Sequence, residues 1–360
     1  MFKLRMNAAS EGDALVLTWG TGADLHNAVV DLGRKKDYQG GRAKYEALGN
    51  VELLVVSHVD ADHIEGAIPL CKQPAPPFEP GDVWYNGHHH LVGASERMVD
   101  RTGRETLGAL QGEKLSFAIG RFGWPWNTAF RSRIASTGSK EASGVGLAGG
   151  LVIKLLSPDD SALAALIPRW EAELARAGLR PLDPDEGAAE PGSDREILST
   201  LNVEALAARP YREDKATPNG SSIAFLAEYD GKRVLLAADA HPRIVCASLR
   251  AMGYNEGNRC KLDCYKVSHH GSRANTSPEM LRLLDCTTFA ISTDGTRHGH
   301  PDPELVARIL VADPKRHKKI FFNFRQPNTE VWDRRDLMDR YNYSCVFPDG
   351  DSGGINIPLD

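Results

Sequence analysis

The chain has 360 residues, 41% of them hydrophobic and 25% charged, with a formal net charge of −5. Those proportions are ordinary for a globular protein and exclude a disordered, collagen-like or coiled-coil chain. At ~150 residues per domain the length allows two or three domains, or one decorated α/β domain. No run of about 18 apolar residues is present, so no membrane span is expected. The N-terminal MFKLRMNAASEGDALVLTW has basic residues but no apolar stretch before a small-residue cleavage site. It does not read as a signal peptide, and a cytoplasmic location is the expectation. A protein that bound nucleic acid over its whole surface would be basic, so any polyanion must be held by a local patch or by metal. The six cysteines are sparse, and Cys260 and Cys264 have no second pair nearby. Buried free thiols are expected there rather than a zinc site.

Along the chain, residues 13–19 (DALVLTW) and 27–32 (NAVVDL) read as a hairpin of buried strands, with Gly20 and Gly22 in the turn. Residues 51–56 (VELLVV) form a strand that runs directly into Ser57 and His58. A helix is expected from near His63 to before Pro74, then the loop PAPPFEP, then a strand at 82–85 (DVWY). Residues 91–130 read as helical and then irregular, with Phe122, Trp124, Trp126 and Phe130. Residues 137–150 are small and loop-like, and 151–158 (LVIKLLSP) form a strand stopped by Pro158. Helical spacing follows at 161–178. Residues 182–194 (LDPDEGAAEPGSD) carry five acids and no base, the composition of a mobile linker. In 221–240, two apolar runs flank Tyr229-Asp230-Gly231-Lys232, a hairpin signal. Strands follow at 264–272 (CYKVSHHGS) and 287–293 (TTFAIST), then a helix opened by Asp302 and Pro303, then a late strand KIFFNF. Lys315, Arg316, Lys318 and Lys319 read as a solvated helix-to-strand loop rather than a phosphate track. Strands cluster in both halves, around a looser insertion at roughly 86–215. The two halves supply two packed sheets of one domain spanning 1–360.

The sharpest chemical feature is His58-Val59-Asp60-Ala61-Asp62-His63, four metal-competent side chains directly after a buried strand. Imidazole and carboxylate are good ligands for divalent ions. So many polar groups at the end of an apolar strand are costly unless something satisfies them. Two further features end apolar strands: the pair His269-His270 before Gly271 and Ser272, and Asp239 after VLLAA. Alone, each is weak, since a His pair is often surface and a strand-end Asp is often a cap.

HVDADH resembles the HxHxDH signature of the metallo-β-lactamase superfamily, with Asp at the second His position. That variant resembles the corresponding domain of ComEC-type DNA-uptake proteins and their stand-alone relatives. EGDALVL (11–17), VVDLG (29–33), NGSSIAF (219–225), LLAADA (235–240), KVSHHGS (266–272) and GHP (299–301) are similar to further motifs of that family, in the same order. Ala238 stands where the family motif has Gly. The resemblance implies a four-layer αββα sandwich with the site at one edge between the sheets. It implies that His58 and Asp60 bind one metal, and that Asp62 and His63 bind a second. Asp239 would bridge, and His269 would complete the second ion, with His270 the alternative and a catalytic candidate beside Asp62 and Asp239. Most superfamily members supply another His ahead of the bridging Asp, and the region Asn219 to Ser222 has none. His88, His89 and His90 read as a surface or substrate-facing tract rather than as replacement ligands. The absence of Cys and the three carboxylates tilt the metal toward manganese, with zinc open.

Such a centre implies a metal-dependent hydrolase, with the family pointing to phosphodiesters of nucleic acid as substrate and partner. Ser272, Arg273 and His300 are candidate phosphate contacts. Trp84-Tyr85-Asn86-Gly87 and the aromatics at 122–130 could stack bases, but core packing or a lid is the stronger expectation. A hydrolase of a small ester, thioester or lactone on the same site is the alternative, and a non-catalytic module the third class.

Overall fold

The structure, a computed structural model, describes residues 1–96, 109–176, 201–350 and 353–359. The acid-rich stretch 182–194 lies outside the described residues. The chain opens with Phe2–Met6 (β1), Leu15–Thr21 (β2), Asp24–Val30 (β3), Asn50–Val55 (β4) and Pro80–Trp84 (β5). Next come Val145–Gly146 (β6), Val152–Ser157 (β7), Ala224–Tyr229 (β8) and Lys232–Leu236 (β9). Cys260–Leu262 (β10), Cys264–Lys266 (β11), Leu284–Cys286 (β12) and Thr288–Ile291 (β13) follow. Lys318–Phe322 (β14), Tyr343–Val346 (β15) and Ile355–Pro358 (β16) complete the set.

Six strands pair in the order β16-β1-β2-β3-β4-β5, and eight in the order β15-β14-β13-β11-β9-β8-β7-β6. β10 and β12 form a separate two-stranded pair. One apolar cluster draws Leu4, Leu17, Trp19 and Val55 from the first sheet and Ile153, Phe225 and Leu236 from the second, so the sheets face each other. A second cluster joins the outer face of the first sheet (Val16, Val29, Leu54, Val83) to helical residues such as Tyr38, Leu70, Leu115 and Trp170. A third joins the outer face of the second sheet (Leu226, Leu235, Phe289) to Val245, Leu249, Val306 and Ile309. This is the expected four-layer αββα sandwich. The second half of β4 is buried on both faces, which is why Leu53-Leu54-Val55 reads as an apolar run.

Several expectations are corrected in detail. The helix expected from His63 to Pro74 is two short ones, Ala61–Ile64 and Ala67–Cys71. The stretch read as an insertion supplies β6 and β7, which pair onto β8. It also supplies helices that pack on the first sheet, among them Asp160–Arg176 with its buried Trp170. Lys318 of the basic run is not solvated. It is buried, and its ammonium donates to the carbonyls of Asp313 and Leu310. The cysteines are all free, five of them buried. No helix among the described residues is long and apolar enough to cross a membrane.

Candidate functional site

Parallel pairing places the chemistry. β3 runs parallel to β4, and β9, β11 and β13 run parallel to one another, so their C-terminal ends share an edge. Loops at that edge are where polar groups can converge without breaking a sheet. Asp31 follows β3, His58 to His63 follow β4, Asp239 follows β9, and His269 and His270 follow β11. Three of these residues take the left-handed backbone conformation, Asp31 (φ 56°), His269 (φ 47°) and His270 (φ 53°), as does Ala238 (φ 44°) just before Asp239. L-residues adopt it at a cost, and such strain clusters at functional sites. Gly12 is required by close approach, since a Cβ there would meet the Asp62 carbonyl oxygen at 1.9 Å.

Asp239 sits at the centre, buried, with a pair of imidazoles on each oxygen. His63 Nε2 and His270 Nε2 lie 3.5 and 3.6 Å from its Oδ1. His269 Nε2 and His58 Nε2 lie 3.5 and 3.8 Å from its Oδ2. Asp62 Oδ2 is 3.4 Å from His270 Nε2, and Asp60 Oδ2 is 3.7 Å from His58 Nε2. Sequence reasoning set His269 ahead of His270 for the place beside Asp62 and His63. The structure brings His270 there and turns His269 to the other oxygen, because two consecutive left-handed residues point the rings to opposite sides.

These separations are too long for good hydrogen bonds. They match the spacing of two ligands on one ion, about 3.4 Å for tetrahedral bonds of ~2.1 Å. His58 Nε2 and Asp239 Oδ1 are buried with no hydrogen-bond partner. Orphaned buried polar atoms of this kind call for an ion or water. Three overlapping groups could hold a metal ion: His58, His63 and Asp239; Asp62, His63 and His270; and Asp13, Asp31 and His63. The donor set therefore fits divalent metal. The fold and the cluster together define a mixed α/β protein with a buried His/Asp centre of metal-binding geometry.

The electrostatics agree. Burial opposes ionisation of Asp62, but contact with His270 and the charge of His63 outweigh it and hold the carboxyl well below its usual range. Burial likewise opposes protonation of His269, yet Asp239 and Asp214 raise it to about 10. Each ring is also braced from behind. His63 Nδ1 lies 2.8 Å from Asp31 Oδ2, whose carboxylate also accepts from the Ser57 hydroxyl and backbone N–H. His269 Nδ1 lies 2.9 Å from Asn275 Oδ1, and His270 Nδ1 lies 3.1 Å from the Ser292 carbonyl. Lys266 Nζ donates to Asp13 Oδ2 at 2.8 Å, joining the two sheets beneath His270. Partners of this kind fix ring orientation at metal sites.

The three candidate phosphate contacts fare unequally. Ser272 is buried, and its hydroxyl accepts the Ala274 N–H at 3.2 Å. Arg273 turns to Glu304 at 2.9 Å, a carboxylate it shares with Arg209. His300 stands 5.6 Å, ring to ring, from His269. Asp302 stands at the expected N-cap of the helix Pro303–Val311, but its carboxylate accepts the Arg273 N–H rather than a helical one. His88, His89 and His90 join none of the three metal-competent groups; His89 and His90 pack edge-on against Trp126. Trp84, Tyr85, Trp124 and Phe130 are core.

Sequence reasoning assigned no role to Asp13, Asp31, Asp214 or His298. Asp13 and Asp31 lie inside motifs that were noted for resemblance alone. His298 is an exposed imidazole that feels the charges of Asp62, His269 and His270. Arg34 and Arg297 share Glu11 at 2.8 and 3.7 Å, and Arg34 also feels the Asp62 charge.

No protein-family model matches the chain, and no curated protein matches it. Among solved structures it is similar to the crystal structure of a long form RNase Z from yeast, at 10% identity and a TM-score of 0.33. The match covers 98% of this chain and 45% of that one, so the chain spans less than half that protein's length. A likeness that remote assigns no activity.

Proposed function

We propose that the protein is a metal-dependent hydrolase of the metallo-β-lactamase type that cleaves nucleic-acid phosphodiesters. The observation that carries the reading is the set of four imidazoles paired on the two oxygens of one buried carboxylate. His58, Asp60, His269 and Asp239 Oδ2 would hold one ion. Asp62, His63, His270 and Asp239 Oδ1 would hold the other. Zinc or manganese suits a donor set of imidazoles and carboxylates without thiolate. When bound, such a pair supplies a hydroxide at neutral pH and offsets charge on phosphoryl oxygens.

The chain's own residues do the rest. The Asp62 and Asp239 carboxylates, both kept ionised, orient the attacking water. In the reaction a water oxygen bonds to phosphorus, the bond to the leaving oxygen breaks, and a proton must reach that oxygen. His298, an exposed imidazole within the field of Asp62, His269 and His270, is the candidate for passing that proton. Arg34 lies within the field of Asp62, and its charge is shared with Glu11 and Glu65. A phosphodiester substrate is supported by the ComEC-like motifs.

The test is cleavage of labelled single- and double-stranded DNA and RNA by metal-stripped protein titrated with manganese, magnesium or zinc, with Asp62→Ala alongside. The reading expects metal-dependent cleavage of at least one polymer, absent from the variant. Two bound metals with silence on every polymer, and turnover of a small ester, thioester or lactone, would replace the substrate class.

A further inference from the structure

The outer face of the first sheet carries a second feature, remote from Asp239. A groove of about 500 Å³ lies between β1 and the end of helix Lys35–Glu46. Lys3, Thr18 and Asn27 are register partners across β1, β2 and β3 and form its floor. Arg5 follows two residues on, on the same face. Lys44 leans in from the last helical turn. The helical layer covers Val16 and Val29 but leaves Lys3 and Arg5 half-buried.

Its charge is one-sided. Lys3, Arg5 and Lys44 line the groove, and no carboxylate among the described residues does. None of the three is ion-paired among the described residues, in a chain of net charge −5. Lys44 loses basicity to burial and to the neighbouring Arg5 charge, as expected of cations held together without a counterion. The floor cannot relieve them. The Thr18 hydroxyl donates to Asn27 Oδ1 at 2.9 Å, and Asn27 Nδ2 donates to the Asn50 carbonyl at 3.1 Å. The charged donors of the groove are the three cations. At the inner end, Asn7 is buried with its Oδ1 unpartnered.

An oxyanion between Arg5 and Lys44 would offset their repulsion and accept charge-assisted hydrogen bonds from both. The volume falls within the range of small-molecule sites, about 300–1,000 Å³, and exceeds what one phosphate fills. Leu25 and Leu48 add apolar wall for the remainder of a ligand. We infer that this groove binds the phosphate groups of a nucleotide-sized ligand, either free or as part of a strand. The inference does not depend on the hydrolase reading, because it concerns the metal-free protein.

The experiment uses full-length protein stripped with EDTA, so that no hydrolysis intervenes. Binding of a fluorescein-labelled ten-residue oligothymidylate is read by anisotropy, and binding of ADP by calorimetry. The double variant R5Q/K44Q should weaken the probe that binds by about 100-fold or more, since each of the two lost charged hydrogen bonds is worth ~1.5 kcal/mol or more. For the oligonucleotide, the salt slope should also flatten by about 1.4, from two lost phosphate contacts at ~0.7 each. Asp62→Ala should leave binding unchanged. Oligonucleotide binding alone assigns the groove to a strand, and ADP binding alone to a free ligand. Should R5Q/K44Q fold poorly, the exposed single change Lys44→Glu should still weaken binding severalfold at unaltered thermal midpoint. Wild-type protein that binds neither probe, or variants that bind both as wild type does, would overturn the inference.

Discussion

The two oxygens of Asp239 face unequal surroundings. On the Oδ1 side, His63 and His270 are essentially inaccessible and Asp62 is 14% exposed. His63 is braced there by Asp31, and the Lys266–Asp13 pair ties the sheets beneath His270. On the Oδ2 side, His58 is inaccessible, but His269 is 23% and Asp60 31% exposed. The bracing there is lighter: Asn275 on His269, with Asp214 at 3.7 Å, and the Ser57 hydroxyl on His58 at 3.1 Å. Both halves draw on the same two loops, after β4 and after β11, and differ in depth: the Oδ1 side is closed over by the sandwich, the Oδ2 side lies nearer its rim. On the proposed two-ion reading, the inner half would hold its ion more tightly and the outer half would exchange with solvent.

The largest expected effect belongs to the residue common to both halves. Asp239→Asn should lower cleavage by about 1,000-fold, the scale of losing a central electrostatic stabiliser, and should reduce bound metal below one equivalent. Elemental analysis with a cleavage assay checks it. Next, Asp60→Ala should keep one tightly bound ion and His63→Ala should not. Metal retained equally by both after dialysis would erase the distinction between the halves. Replacing the braces should cost less, about 10–100-fold in metal affinity for Asp31→Asn. Asn275→Ala should fall at or below the low end of that range, and competition against a fluorescent chelator would order the two. The smallest change is Ala238→Gly, which removes a side chain from a left-handed position just before Asp239. It should leave metal content unaltered and stabilise the protein by up to ~1 kcal/mol, visible as a raised thermal midpoint.

The residues gathered around Asp239 were legible in the sequence because polar residues stood where apolar strands stopped. HVDADH, Asp239 and the His pair could be found by eye, and the strands that deliver them were placed to within a few residues. The side to which each His turns was not legible. It depends on two consecutive positive φ angles, and nothing in His-His-Gly announces them. Asp31 was hidden for a different reason. One residue past a strand, a lone Asp reads as a cap, and only parallel pairing with β4 sets it behind His63. β6 was obscured because it lies within the Gly-rich segment 137–150, which reads as loop, and that loop set β7, though read as a strand, inside an insertion. Lys318 misled because a run of cations reads as solvated, whereas carbonyls from Leu310 and Asp313 draw its ammonium inside.

The most direct measurement is metal stoichiometry of the wild-type protein, His269→Ala and His270→Ala, taken with cleavage of labelled single-stranded DNA. Two ions in the wild type are expected, with one in each variant and cleavage lost in both. An account built on paired imidazoles also requires the ion kept by His269→Ala to survive dialysis better than the ion kept by His270→Ala. A wild-type protein that binds no metal, or variants that each retain two ions and full activity, would contradict it.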